Sequence, residues 1–142
     1  MLENRILLSA LLAWLIAQTI KLAIALIRTH RVDFRYLASA GGMPSAHSAL
    51  VTALAAAVAR EQGFDSALFA IAALFAAVVM YDAAGVRQAV SVQARILNRM
   101  LDEIFTQHAF SERRLFELLG HTRLEVFVGS VLGVVVGILG TP

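Results

Sequence analysis

Residues 6–27 read ILLSALLAWLIAQTIKLAIALI. Apart from Ser9, Gln18, Thr19 and Lys21 the run is apolar, and at about 1.5 Å per residue a helix of this length crosses a hydrocarbon core of roughly 30 Å. It is long for the apolar segment of a secretory signal. Glu3 and Arg5 both precede it, and no small-x-small cleavage pattern separates it from the next polar stretch. The rest of the chain agrees with a membrane setting: 59% of the 142 residues are hydrophobic, 15% are charged, and the mean hydropathy is +0.76. The absence of cysteine excludes disulfides, zinc–thiolate centres and thiol nucleophiles. Any chemistry must come from His, Ser, Asp, Glu, Lys or Arg.

Working outward, the start signal at Pro44-Ser45 opens a second expected helix that runs through Ala59. A third is expected from Ser66 to Ala84 and a fourth over Leu124–Leu139. REQGFDS, residues 60–66, suits a short turn, with Gly63 ending one helix and Asp65 starting the next. Glycines 129, 133 and 137 recur every four residues, which predicts one helix face packed closely against another. Residues 86–104 differ: Val86, Val90, Ile96, Leu97, Met100, Leu101 and Ile104 fall near helical spacing, with Arg87, Arg95, Arg99, Asp102 and Glu103 on the other faces. That pattern predicts an amphipathic helix lying in the membrane interface. A short helix is expected over Ser111–Leu119, where a serine stands at the cap position. With no long repeat, low-complexity tract or linker, residues 1–142 read as one all-α domain: an integral membrane bundle of about four spanning helices plus the interfacial one.

If those four helices span in order, segments 28–48 and 82–123 emerge on the same side. Arg28, Arg31, Arg35, Arg87, Arg95, Arg99, Arg113, Arg114 and Arg123 then face Arg5 and Arg60 across the bilayer. The positive-inside rule makes the arginine-rich face cytoplasmic, in a bacterial-type plasma membrane. Arginines that bind an anionic substrate would give the same asymmetry.

Several polar features gather on that side. Lys21 and Arg28 are seven apart, two helical turns, so they share a face about 10.5 Å apart along the axis. A cation inside an apolar run is costly unless it is paired or serves a site. GGMPSAHS, residues 41–48, has the character of a loop entering a helix N-terminus: glycines for close backbone approach, then Ser45 and backbone amides as an anion site, with His47 one turn in as a proton donor. His121 and Glu125, at i and i+4, are expected on one helical face, where the carboxylate fixes the tautomer that leaves the other ring nitrogen nucleophilic. Asp82 ends the third helix near Arg87 and suits an ion pair, a substrate contact or a metal ligand. His30 and His108 sit in charged connections and read as solvated. An ordinary helix cap, a snorkelling arginine and an interfacial ion pair are the plainer readings of these same residues.

Together the segments GGMPSAHSALVTALA, MYDAAGVRQAVSVQARILN and LLGHTRLEVFVGSVLG resemble the type 2 phosphatidic acid phosphatase superfamily, which is related to vanadium haloperoxidases. The closer resemblance is to its divergent branch of small integral membrane proteins. In that superfamily a lysine with an arginine seven residues later, a PSxH segment and an Arg…HxxxD segment form one phosphate site. Here Lys21 and Arg28, Pro44-Ser45-Ala46-His47, and His121 with Glu125 match these, glutamate replacing aspartate. The resemblance implies a lipid-phosphate phosphatase in which His121 attacks phosphorus, Glu125 orients it, His47 protonates the leaving group, and Lys21, Arg28 and Ser45 hold the phosphoryl oxygens. The arginine expected six residues before the nucleophile falls on Leu115, so Arg114 or Arg87 is expected to supply that cation. Neither metal nor cofactor is expected, nor a nucleic-acid partner. The bilayer and a lipid phosphate, such as phosphatidylglycerophosphate or phosphatidate, are the expected partners. Four spanning helices, fewer than the usual six, allow a homodimer to enclose the site. Two other readings stay open: a catalytically inactive relative that binds lipid headgroups, and a divalent metal site built from His47, Asp82, His121 and Glu125.

Overall fold

The structure is a computed structural model that describes residues 4–29, 42–104 and 121–141. Among these it is all-helical: α1 (Arg5–Thr29), α2 (Ala46–Gln62), α3 (Ala67–Ala84), α4 (Val86–Ile104) and α5 (Arg123–Gly140). The expected helix over Ser111–Leu119 lies outside the described residues, as do His30, His108 and Arg114.

α1, α2, α3 and α5 run alternately up and down. α2 is the central member, packed against α1, α3 and α5. The segments Arg5–Ile27, Ala67–Ala84 and Arg123–Gly140 are long and apolar enough to cross a membrane on their own. α2 has 17 residues and is richer in alanine, and it runs the same course enclosed by the other three. The side-chain distribution is that of a membrane protein. Small residues face inward, with Ala13, Ala17, Ala46, Ala49 and Ala53 forming the core around Val136. Large ones such as Ile71, Leu74, Val78, Phe127 and Leu139 face outward, into what must be lipid. Without a hydrophobic force between helices in lipid, close backbone approach and van der Waals contact hold such a bundle together.

The glycine spacing of α5 has the consequence expected of it. A Cβ added at Gly129 would overlap the Ser45 backbone, one at Gly133 would overlap the Ala49 carbonyl and the Thr52 hydroxyl, and one at Gly137 the Ala53 carbonyl. The Thr52 hydroxyl reaches the Ser130 carbonyl across this seam at 3.1 Å.

The turns are capped by identifiable groups. Gly63 ends α2 with φ +83° and its N–H on the Ala59 carbonyl. α3 starts one residue later than expected: Ser66 is its N-cap, accepting from the Phe69 N–H, and Asp65 precedes the cap. α2 likewise starts after Ser45, its N-cap, so Pro44 sits outside the helix rather than in its first turn. At the bundle's other end Arg60 Nε donates to the Thr141 carbonyl at 2.9 Å, tying the end of α2 to the end of α5.

α4 extends from the end of α3 and, among the described residues, packs only against it. Val90, Ile96, Leu97, Met100 and Leu101 are exposed along it, as an interfacial helix requires, while Ala94 and Asn98 are buried.

Candidate active site

Up-and-down topology brings the C-terminal end of α1, the loop before α2, the end of α3 and the start of α5 to one end of the bundle. Lys21, Ser45, His47, His121 and Glu125 meet there. Lys21 is buried on α1, and the methylenes of its side chain lie against the Cα of Gly42. That glycine has φ +99°, and a Cβ on it would stand 3.0 Å from Lys21 Cε. Gly42→Ala is therefore expected to cost about 1–2 kcal/mol in backbone strain and to displace the lysine as well. Thermal unfolding in detergent of Gly42→Ala, Lys21→Ala and the double variant checks this: part of the loss should vanish once the lysine is gone.

Ser45 is tied to α5 by its backbone. Its N–H donates to the Glu125 carbonyl at 3.0 Å, and its own carbonyl lies against Gly129. This contact sets the register between the loop before α2 and the histidine–glutamate pair. His47, in the first turn of α2, is exposed, and its ring stands edge-on to that of His121 with centroids 6.1 Å apart.

The His121–Glu125 pairing forms, by a geometry different from the expected one. α5 begins at Arg123 with Thr122 as N-cap, so His121 precedes the helix and does not share a helical face with Glu125. A capping box makes the contact. The Thr122 hydroxyl accepts from the Glu125 N–H at 3.2 Å, and Glu125 Oε2 accepts from the Thr122 N–H at 2.9 Å. Folded back in this way, the same oxygen meets His121 Nδ1 at 3.2 Å. The His121 N–H is held in turn by the Ala83 carbonyl at 3.3 Å, which seats it beside the end of α3. The signal was present in the sequence as Thr-x-x-Glu at residues 122–125.

A carboxylate can only accept, so Nδ1 carries the ring proton and Nε2 holds the lone pair. His121 is 1% exposed, and its Nε2 is buried with no hydrogen-bond partner among the described residues. An unsatisfied buried polar atom is expensive, and such an atom in a native fold calls for an explanation. Burial pushes the His121 imidazole below its ordinary value of 6.5. The hydrogen bond and charge of Glu125 pull it back, and the charges of Lys21 and His47 push it down further. The ring is thus neutral at neutral pH.

Two helix N-termini, those of α2 and α5, open at this end, and their dipoles favour negative charge. Lys21 stands at the same end, close to the neutral imidazole. Arg28 and Arg87 lie on α1 and α4 but their side chains are outside the described residues. Asp82 is half-buried on α3, one residue from the Ala83 carbonyl that holds His121. Among the described residues no three His, Asp or Glu side chains gather as metal ligands, which leaves the four-residue metal constellation unassembled. Ser48 and Thr122 were given no chemical role in the sequence, yet each holds a member of the cluster, while Gly42 makes the close approach expected of the glycines before α2. An apolar groove of about 490 Å³ between α2, α3 and α5 lies at the opposite end, near Arg60 and Phe64, and contains none of the clustered residues.

An antiparallel bundle of membrane helices, with a histidine–carboxylate pair between two helix N-termini, defines the class: a helical membrane protein with one polar end. The chain belongs to the divergent PAP2 family, which it matches over residues 2–136. It is 43% identical over 145 residues to the uncharacterized membrane protein YuiD of Bacillus subtilis strain 168, a match that covers 94% of this chain and 92% of that protein. No solved structure matches it.

Proposed function

We propose that the protein is a lipid-phosphate phosphatase acting through a phosphohistidine. The observation that carries this is His121 Nε2: buried, unpartnered among the described residues and lone-pair-bearing, in a ring held by Glu125. In this reading Nε2 attacks phosphorus while the bond to the lipid alkoxide breaks, and His47 gives that oxygen a proton. Water then attacks the phosphohistidine, returning the proton to His47 and releasing phosphate. Lys21, Ser45 and the α2 N-terminus hold the phosphoryl oxygens, with Arg28 and Arg87 or Arg114 as further cations. The arginine-rich face is assigned to the cytoplasm of a bacterial-type plasma membrane, which favours inner-leaflet phosphatidylglycerophosphate or phosphatidate over an outer-leaflet polyprenyl diphosphate.

The test is phosphate release from these three lipids in mixed micelles, with and without chelator. Chelator-resistant release supports the proposal and ranks the substrates. Release abolished by chelator points to a metal enzyme, and binding of anionic lipid without release points to a catalytically inactive relative.

The pH dependence has a definite sign. Because the folded-state value of His121 lies below 6.5, the nucleophile stays neutral as pH falls to that point. The acid limb of kcat/KM reporting this nucleophile is expected below pH 6.5. Stability follows the same linkage. The contribution is fully present above the unfolded value of 6.5 and is lost as pH falls through the lower folded value, since the unfolded chain takes up the proton first. Unfolding midpoints at pH 7.5 and 5.5 for the parent and His121→Gln proteins check this, with the larger acid loss expected in the parent.

A further inference from the structure

Ser48 has no exposed surface and sits one residue beyond His47, pointed at Ser45 instead of the solvent. Its backbone N–H donates to Ser45 Oγ at 3.3 Å and its hydroxyl donates to the same oxygen at 3.0 Å. A serine hydroxyl has one proton to give and two lone pairs to fill. With both lone pairs taken by Ser48, the only capacity left to Ser45 is donation. Ser45 is itself fully buried, and its proton has no acceptor among the described residues. An ordinary N-cap needs only the amide contact; the second, hydroxyl-to-hydroxyl bond removes the alternative in which Ser45 accepts from a ligand or from water.

We propose that Ser48 is a positioning residue that makes Ser45 a dedicated donor to a phosphoryl oxygen. This rests on the phosphatase reading. Thr52 supports the arrangement from behind: its single hydroxyl proton is shared between the Ser48 carbonyl at 2.7 Å and the Ser130 carbonyl of α5 at 3.1 Å, holding this turn of α2 against α5. Without the Ser48 hydroxyl, Ser45 Oγ regains a free lone pair and its proton is no longer directed.

The experiment uses the full chain in detergent with Ser48→Ala, Ser45→Ala and the double variant. It reads kcat and KM for lipid phosphate, binding of orthovanadate as a phosphate analogue, and the unfolding midpoint. Ser48→Ala is expected to weaken vanadate binding and raise KM by about three- to tenfold, the equivalent of one hydrogen bond, with kcat changed less. In the Ser45→Ala background the same substitution should change neither. Additive losses in the double variant, or a lower unfolding midpoint with KM and vanadate affinity unchanged, would reduce Ser48 to a structural role and overturn the inference. The binding arm reads whether or not turnover occurs. A parent protein that binds vanadate without releasing phosphate sinks the phosphatase reading alone, and one that does neither sinks both.

Discussion

His121→Ala is expected to lower phosphate release by on the order of a thousandfold or more, with little change in lipid binding. The reason is the division of labour at the polar end of the bundle. In the proposed mechanism Lys21, Ser45 and the α2 amides act on charge and survive the substitution, whereas the buried Nε2 lone pair beside His47 is lost. Glu125→Gln separates orientation from nucleophilicity. An amide can present its oxygen to the Nδ1 proton but loses the negative charge that stabilises the ring as phosphorus is attacked, so a smaller loss is expected than for His121→Ala. The capping box makes a further distinction. Thr122→Ala removes the cap without touching the imidazole, and about 1 kcal/mol of stability should go with it. Phosphate release by the four proteins at matched detergent and lipid concentration gives the ranking. His121→Ala as active as the parent would remove the phosphohistidine step altogether.

Gly133→Val is expected to be the most disruptive single change in the spanning helices. A Cβ there meets the Ala49 carbonyl and the Thr52 hydroxyl, with Ala49 Cα at 2.9 Å, and two of these three are backbone that no rotamer change can move. Overpacking of this kind costs about 1–3 kcal/mol even for alanine, and the branched valine adds two more methyl groups to the same space. Gly63→Ala is the control: nothing stands within 4 Å of its Cβ, so only the strain of φ +83° remains. Unfolding in detergent should therefore rank Gly133→Val well below Gly133→Ala, and both below Gly63→Ala. Equal midpoints would mean that α2 and α5 are not in contact along this seam.

Much of the bundle was legible in the sequence because lipid simplifies the code. Runs such as residues 6–27 have one use, and glycines at 129, 133 and 137 declare a close helix contact without naming the partner. The partner, α2, came only from the fold. Lys21 announced itself by its cost in an apolar run. His121 and Glu125 were visible as a pair, but for a helical-face reason that the structure replaces with a capping box, because an i, i+4 spacing is shared by both geometries. The close approach allowed by Gly42 was legible but its partner on α1 was not, and the role of Ser48 was illegible because it depends on a hydroxyl's filled lone pairs and leaves no periodic mark. The start of α2 was placed two residues early for a similar reason: Pro44 suits both the first turn and the residue before a cap, and Ser45's contact with Ser48 decides between them.

The most direct measurement of the central claim is covalent trapping. Lipid phosphate labelled in its phosphoryl group is mixed with the protein, quenched within milliseconds under alkaline conditions that preserve phosphoramidates, and the label is mapped by peptide. The phosphatase account predicts acid-labile, alkali-stable label on His121 that appears and decays during turnover of the parent protein and is absent from His121→Ala. Phosphate released from lipid with no label ever passing through His121 would contradict it.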